Sequence, residues 1–303
     1  MMSESELQAF QIYDVIVCSY GLISPQTTHD DYTCPKCLNL KFRHFRSTAT
    51  RHPAERRFRH GFRIDDLGKR LWSSEIVLSV TVLSIKSVCC RTCRGPTLVG
   101  IARCYQCDLA RSQAGELLAD VVAPIAYAVR GGRLAIDLWR YKSDRADAAE
   151  SAARLQTMLA AYLADHGESV WRAAGMPAGP MALAVVPSGR GRPGGHPLPG
   201  LVRSCVDVPL IGLSVAPEEA AHGRGVDPRW LRVDGPVAGQ DVVVVDDTWV
   251  SGGSAQSAAV ALKLAGARRV AIIVIGRHVN PDDPRSAQFL GALPAGLIRA
   301  PRG

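Results

Sequence analysis

The chain lacks the features that would tie it to a membrane or an oxidising compartment. Ile76–Val88 is apolar, but Lys86 interrupts it, and it falls short of the about 20 residues a spanning helix needs. The opening Met1-Met2-Ser3-Glu4-Ser5-Glu6 is acidic and has no apolar core, so it does not read as a secretory leader. A disulfide framework is missing too. The nine cysteines are an odd number and fall mostly in CxxC pairs, which is how metal ligands appear in a reducing cytosol. Nor is there an acidic excess: 36 Lys and Arg against 28 Asp and Glu give a net charge of +8 and a pI near 9.2. That balance suits acidic partners such as nucleotides or nucleic acid. These absences predict a soluble, cytoplasmic protein with no membrane partner. The 47% apolar content is ample for a core, and 303 residues suggest about two domains.

What is present centres on Val242-Val243-Val244-Val245-Asp246-Asp247-Thr248-Trp249-Val250-Ser251-Gly252-Gly253-Ser254. Four β-branched residues in a row predict a strand buried on both faces, as parallel strands are. Asp246 and Asp247 follow where that strand should emerge, which is where open α/β sheets place ligands. Ala255–Leu264 reads as a helix with Ser254 as its N-cap. Glycines let a backbone approach an anion closely, and a helix N-terminus adds partial positive charge, so a phosphate monoester fits the loop. Carboxylates cannot bind phosphate. They must serve sugar hydroxyls, a metal ion, or both, and a phosphorylated ribose satisfies the two halves together. A Walker A loop is excluded, because no Lys-Ser/Thr pair follows the glycines. The plain alternative is a strand–turn–helix with a solvated Asp pair.

The order of strand, acidic pair and small hydroxyl/glycine loop resembles the phosphoribosyl-pyrophosphate (PRPP) signature of type I phosphoribosyltransferases. The usual threonines are replaced at Val250, Ser251 and Ser254; the serines keep the hydroxyl and Val250 does not. The resemblance implies that Val250, Ser251, Gly252, Gly253 and Ser254 hold the 5′-phosphate. It implies that Asp246 and Asp247 act on the ribose, with Mg²⁺ carried in by PRPP.

Further upstream, Cys90-Arg-Thr-Cys93 and Cys104-Tyr-Gln-Cys107 are two CxxC knuckles ten residues apart. Each pair supplies two thiolates and the loop between them can close a tetrahedron, which predicts a structural Zn²⁺ site with no open position. Free or redox-active thiols are the alternative reading. Cys89 is adjacent but out of register, while Cys34 and Cys37 form a further CxxC, the alternative pair to complete the site with one of these two. Between Lys41 and Arg70 the chain is crowded with Arg and His and shows no sustained period. This is either a disordered basic arm or a segment that tracks a phosphate backbone.

Ala110–Val122 has helical spacing, Pro124–Arg130 reads as a strand, and Gly131-Gly132 as its turn. Arg133–Lys142 and Ala146–His166 read as helices, the second capped by Gly167. A four-Cys knuckle leading to an Ala-Tyr-Ala-Val strand, a Leu-Trp-Arg-Tyr-Lys helix and then the PRPP loop resembles the ComF family of competence-associated proteins, over roughly Cys90 to Pro281. That resemblance implies partners in DNA uptake or DNA processing and leaves a homo-oligomer open.

Met181–Pro187 reads as a buried strand, and Ser188-Gly189-Arg190-Gly191-Arg192-Pro193-Gly194-Gly195-His196 follows it. This contains a literal GxGxxG, but Pro193, Pro197 and Pro199 obstruct the helix a dinucleotide site requires. As a Gly/Arg coil it suits pyrophosphate, gripped by Ser188, Gly189, Arg190 and Arg192, or else it is simply an exposed loop. Pro209–Val215 is a further strand, and Ala216–Pro236 takes the place of the mobile hood found in phosphoribosyltransferases, with Trp230 as a packing anchor. Arg269–Gly276 is the strand after the loop helix; Arg277 and His278 at its end are either substrate contacts or a surface pair.

The expected class is therefore α/β: a phosphoribosyltransferase-type, mostly parallel sheet flanked by helices and preceded by a small four-Cys zinc knuckle. The expected divisions are a poorly defined basic extension over 1–85, the knuckle over 86–110, the phosphoribosyltransferase domain over 111–280 and a flexible tail over 281–303. The expected ligand is PRPP or a ribose 5-phosphate compound.

Overall fold

The computed structural model describes residues 88–188, 195–216 and 225–292. The expectations for the 1–85 extension, for Cys34 and Cys37 and for Gly189, Arg190 and Arg192 lie outside these residues. Among the described residues no helix is long and apolar enough to cross a membrane.

Six strands form one sheet: β1 (Val121–Val129), β2 (Ala182–Val185), β3 (Leu210–Val215), β4 (Leu231–Asp234), β5 (Asp241–Trp249) and β6 (Arg269–Val279), in the order β1-β6-β5-β2-β3-β4. All neighbours are parallel except β3 and β4. The β-branched run of β5 is buried on both faces, and the alternation of its side chains separates two apolar layers. Val243 and Val245, with Ala271, Ile273 and Leu183, face one layer, shared with α2 (Arg133–Arg140), α3 (Ala148–Ala173) and α4 (Leu198–Arg203). Val242 and Val244, with Ile272 and Val274, face the other. That layer is shared with α5 (Gly253–Leu264) and with Cys90, Cys93 and Cys107 of the knuckle, whose last turn opens α1 (Tyr105–Ala114). The fold is thus a mostly parallel α/β sheet covered on both faces, preceded by a four-Cys cluster.

Several expected boundaries move. The helix foreseen over Ala110–Val122 ends at Ala114, and Val121 and Val122 begin β1, pairing with Ala271 and Ile272. Their spacing imitated a helical face, but β-branched side chains beside a long buried strand are better used in the sheet. Pro124 is accommodated because β1 is an edge strand, where a missing N–H leaves no ladder bond unmade. Gly167 does not end α3. The helix runs on to Ala173 because Val170 and Trp171 continue the buried stripe, and the chain turns at Gly175, where Met176 N–H donates to Trp171 O. Where a loose tail was expected after Pro281, residues Pro284–Ala292 form α6. Its fully buried Phe289 meets the Tyr127 ring edge-on at 5.0 Å between centroids.

α2 and α3 are locked by a buried ion pair. Asp137 on α2 accepts from Arg154 Nε (3.0 Å) and Nη2 (2.5 Å) and from Ser151 Oγ (2.9 Å) on α3. All three residues are buried. Removing one partner would leave an uncompensated charge in the interior. We expect Arg154→Leu to cost about 3–5 kcal/mol in urea unfolding. The double variant Asp137→Leu/Arg154→Leu should recover much of that loss; an Arg154→Leu protein as stable as the parent would show that the pair is not holding the two helices.

Candidate functional site

The winding of the sheet reverses between β2 and β5. From β2 the chain moves outward through β3 and β4, and from β5 it moves the other way to β6. Such a switch point parts the loops at the carboxyl ends of two adjacent strands and leaves a crevice between them. β5 also outruns β2. Their last pair is Val185 with Val245, whereas Asp246 to Trp249 continue against β6 alone. The acid pair therefore lies within β5, not beyond it, at the point where its β2 side opens.

Asp246 and Asp247 point to opposite environments. Asp247 is 5% exposed, and its Oδ2 accepts from the Tyr141 hydroxyl and the Lys142 ammonium at the end of α2. His196 Nε2 lies 3.5 Å from the same oxygen. Leu198 N–H donates to His196 Nδ1 (3.2 Å), so the neutral ring carries its proton on Nε2, facing the carboxylate. Burial by itself would raise Asp247; the hydrogen bond from His196, then Lys142 and Tyr141, overcome it and hold the carboxyl well below the usual carboxylate range. Asp246 Oδ1 accepts from the Asp247 N–H (2.9 Å). Burial first, and then the charge of Asp247, push it up to about 7.

The turn after β5 brings backbone to the start of α5. Gly252 has φ 84°, in the left-handed region, and caps α5, which begins at Gly253 and not after Ser254 as expected. A Cβ at Gly252 would stand 2.1 Å from the Trp249 indole, so glycine is demanded by both backbone and packing. Val250 is exposed, Ser251 and Ser254 are half-buried and Gly253 is buried, with its N–H donating to Ser251 Oγ at 3.4 Å. Of the expected pyrophosphate loop only Ser188 is described; it follows the end of β2. In the hood segment, residues 217–224 lie outside the description, while Pro228–Trp230 forms a single 3-10 turn, Leu231–Asp234 forms β4, and Trp230 is buried as a packing anchor.

The knuckle cysteines come together as their spacing predicts. The Sγ atoms of Cys90, Cys93, Cys104 and Cys107 all lie within 4.8 Å of one another, and those of Cys93 and Cys104 are 3.7 Å apart. Tetrahedral Zn–S bonds of about 2.3 Å require sulfurs about 3.8 Å apart, so the donor set fits such an ion. Cys89 is excluded by geometry: its thiol donates to Arg94 O (3.1 Å), and burial pushes it up to about 11. Arg277, expected as a substrate contact or surface residue, is instead buried against the cluster. Its Nη1 donates to Trp249 O (3.1 Å) and His278 O (2.6 Å). Burial works against its charge, and Cys93, Cys104 and Cys107 beside it keep it protonated.

Tyr141 and Lys142 carried a faint signal as the end of a Tyr-Lys helix. His196 carried none, and Arg277 was marked only as the end of a strand, since their roles depend on which strands and turns become neighbours. No protein-family model matches the chain, and no curated protein matches it. Among solved structures, it is similar to a phosphoribosylpyrophosphate synthetase from Mycobacterium smegmatis, with 25% identity and a TM-score of 0.27, over 44% of this chain and 37% of that one. It is also similar to a purine phosphoribosyltransferase from Pyrococcus horikoshii Ot3, with 18% identity and a TM-score of 0.25, over 43% of this chain and 88% of that one. The chain thus spans little more than a third of the length of the synthetase.

Two outcomes test this geometry. Gly252→Ala should lose roughly 2–5 kcal/mol, from the left-handed backbone and from overpacking against Trp249, as read by chemical denaturation. An unchanged midpoint would show that the turn can relax. For Asp246 the folded value of about 7 lies above its ordinary 3.8, so the native protein keeps a proton that the unfolded chain has lost between those two values. Its contribution to stability therefore falls as pH rises through that window, and Asp246→Asn should flatten the pH dependence of the melting temperature there. A wild-type-like slope in Asp246→Asn would assign the proton elsewhere.

Proposed function

We propose that the protein binds Mg²⁺-chelated PRPP at the crevice between β2 and β5 and transfers the phosphoribosyl group to a nitrogen nucleophile, releasing pyrophosphate. One observation carries this reading: an acid pair at the winding reversal is followed within six residues by a left-handed turn that delivers backbone amides to the N-terminus of a twelve-residue helix. Backbone N–H groups of Ser251 to Ser254 and the dipole of α5 hold the 5′-phosphate, so binding energy remote from C1 positions the sugar. The serine hydroxyls add donors, and Val250 contributes through its backbone alone. Asp246 and Asp247 orient the ribose hydroxyls and stabilise the positive charge that grows on the ring as pyrophosphate departs. The magnesium that arrives with PRPP neutralises the leaving group. Lys142 brings a further cation to the acid pair, and Ser188, Gly189, Arg190 and Arg192 are the proposed grip on pyrophosphate. The four cysteines bind Zn²⁺ structurally, since protein fills all four positions.

One observation favours a second reading. Asp247 already has Tyr141, Lys142 and His196 as partners, which leaves it little capacity for a ribose hydroxyl. On that reading the protein is a ComF-like ligand-binding or scaffold module that works with DNA-uptake or DNA-processing partners, and phosphoribosyl transfer is weak or lost. Pyrophosphate release from Mg-PRPP with a panel of nitrogen bases separates the two. The enzyme reading expects turnover with at least one base, and a drop of about a hundredfold in Asp247→Asn. PRPP binding without turnover on any acceptor would discard the enzyme and keep the module; calorimetry showing no uptake of PRPP or ribose 5-phosphate would remove both.

A further inference from the structure

Arg277 stands between two parts of the molecule that are distant in sequence. In the sheet it is the register partner of Trp249 on β5 and of Tyr127 on β1. It is 7% exposed, so its charge needs a partner inside the protein. One side of the guanidinium holds the end of β5, through Nη1 to Trp249 O. The other side lies against the knuckle: a Cβ on Gly95 would stand 2.0 Å from Nη2. The turn that carries Gly95 is fixed in its turn by the Tyr127 hydroxyl, which donates to Arg94 O at 2.9 Å, and by Cys90 N–H to Gly95 O at 2.8 Å.

Trp249 is the last residue before the loop. Its indole is buried in the same apolar cluster as Cys90, Cys93 and Cys107 and as Ala255 and Ala258 of α5. The left-handed turn at Gly252 is moulded on that indole. Trp249 is therefore held by its carbonyl from Arg277 and by its ring from the knuckle, and the loop is held by Trp249.

We propose that Arg277 is a positioning residue that couples metal occupancy of the four-Cys site to the geometry of the Val250–Ser254 loop; the ligand side of this coupling rests on the reading of that loop as a sugar-phosphate site. Four thiolates around a divalent cation leave a net negative charge, and Arg277 is the buried cation placed to balance it. Its packing on Gly95 of the knuckle turn fixes the guanidinium plane, and the plane fixes where Trp249 O can sit. When the metal leaves, nothing holds the four sulfurs together, and the turn that carries Gly95 no longer confines the guanidinium. A guanidinium freed from that turn moves toward water, where its charge costs less, and releases Trp249 O. The loop then samples other conformations. Because such coupling is reciprocal, a bound sugar phosphate tightens metal binding.

The test is a cycle in which metal and arginine are removed separately and together from the full chain. Hydrogen exchange of peptides spanning Trp249–Gln256 reads the loop without any ligand, and ribose 5-phosphate affinity by calorimetry reads the site. The tetrahedral thiolate spectrum of the Co²⁺-loaded protein confirms that each variant still holds metal. Chelating Zn²⁺ from the wild type should raise loop exchange and weaken ribose 5-phosphate binding about tenfold. Arg277→Met, still metal-loaded, should show the same changes, and chelation should then add less than about twofold. Arg277→Lys, which keeps the charge but not the fork, should recover part of the protection and carries the comparison if Arg277→Met does not fold. Loop exchange indifferent to chelation, losses that multiply in the doubly altered protein, or unfolding of the whole domain on chelation would each overturn the coupling. If the exchange results hold and wild type takes up no ribose 5-phosphate, the coupling stands and the sugar-phosphate reading falls.

Discussion

A carboxylate as deeply set as Asp247 stays ionised only if cations and hydroxyls are brought to it, and much of the fold can be understood as the means of bringing them. Tyr141 and Lys142 arrive from the end of α2, and His196 from the segment that follows β2. Each approach has its own mechanical support. α2 is held to α3 by the Asp137–Arg154 pair, and α3 lies along the sheet through a buried stripe that extends to Trp171. His196 is aimed by the Leu198 amide at the first turn of α4, whose Leu198 and Val202 are buried in the same layer. The charge on Asp247 in turn raises its neighbour Asp246, so two adjacent carboxyls differ in protonation near neutral pH. A pair that differs in this way can both accept and donate hydrogen bonds to a polyol, which two equal carboxylates could not do.

The opposite face of the sheet solves a different problem. There the four cysteines are packed as part of an apolar cluster with Trp249 and the first turns of α5. A metal held by these four sulfurs would act on whatever shares that core. Here the neighbours are the last residue of β5 and the helix whose N-terminus receives the loop. The two layers meet at β5: its odd-numbered valines face α2 and α3, its even-numbered ones face α5 and the knuckle, and both acids lie at its end.

Much of this was readable in the chain before folding. The valine run, the acid pair, the glycine turn and the two CxxC knuckles are local patterns, and their chemistry is set by spacing along a few residues. Boundaries were less legible where one pattern could serve two structures. Val121 and Val122 fit a helical stripe as well as a strand until β6 is present to pair with them. Gly167 resembled a helix end, and only the burial of Trp171 beyond it decides that α3 continues. Phe289 gave no sign that the residues after Pro281 would pack on Tyr127.

By itself, then, the sequence determined which segment carries a glycine turn at a helix start, which carries acids, and which four sulfurs form a set, because these depend on neighbours within one turn or one strand. Tertiary structure alone decided which residues from elsewhere meet them. His196 reaches Asp247 only because β2 lies beside β5, and Arg277 meets Gly95 of the knuckle only because the knuckle packs on the end of β6. The reason is physical: a buried charge is neutralised by whatever partner the packing of the layers delivers, and that partner is set by strand order and not by distance along the chain.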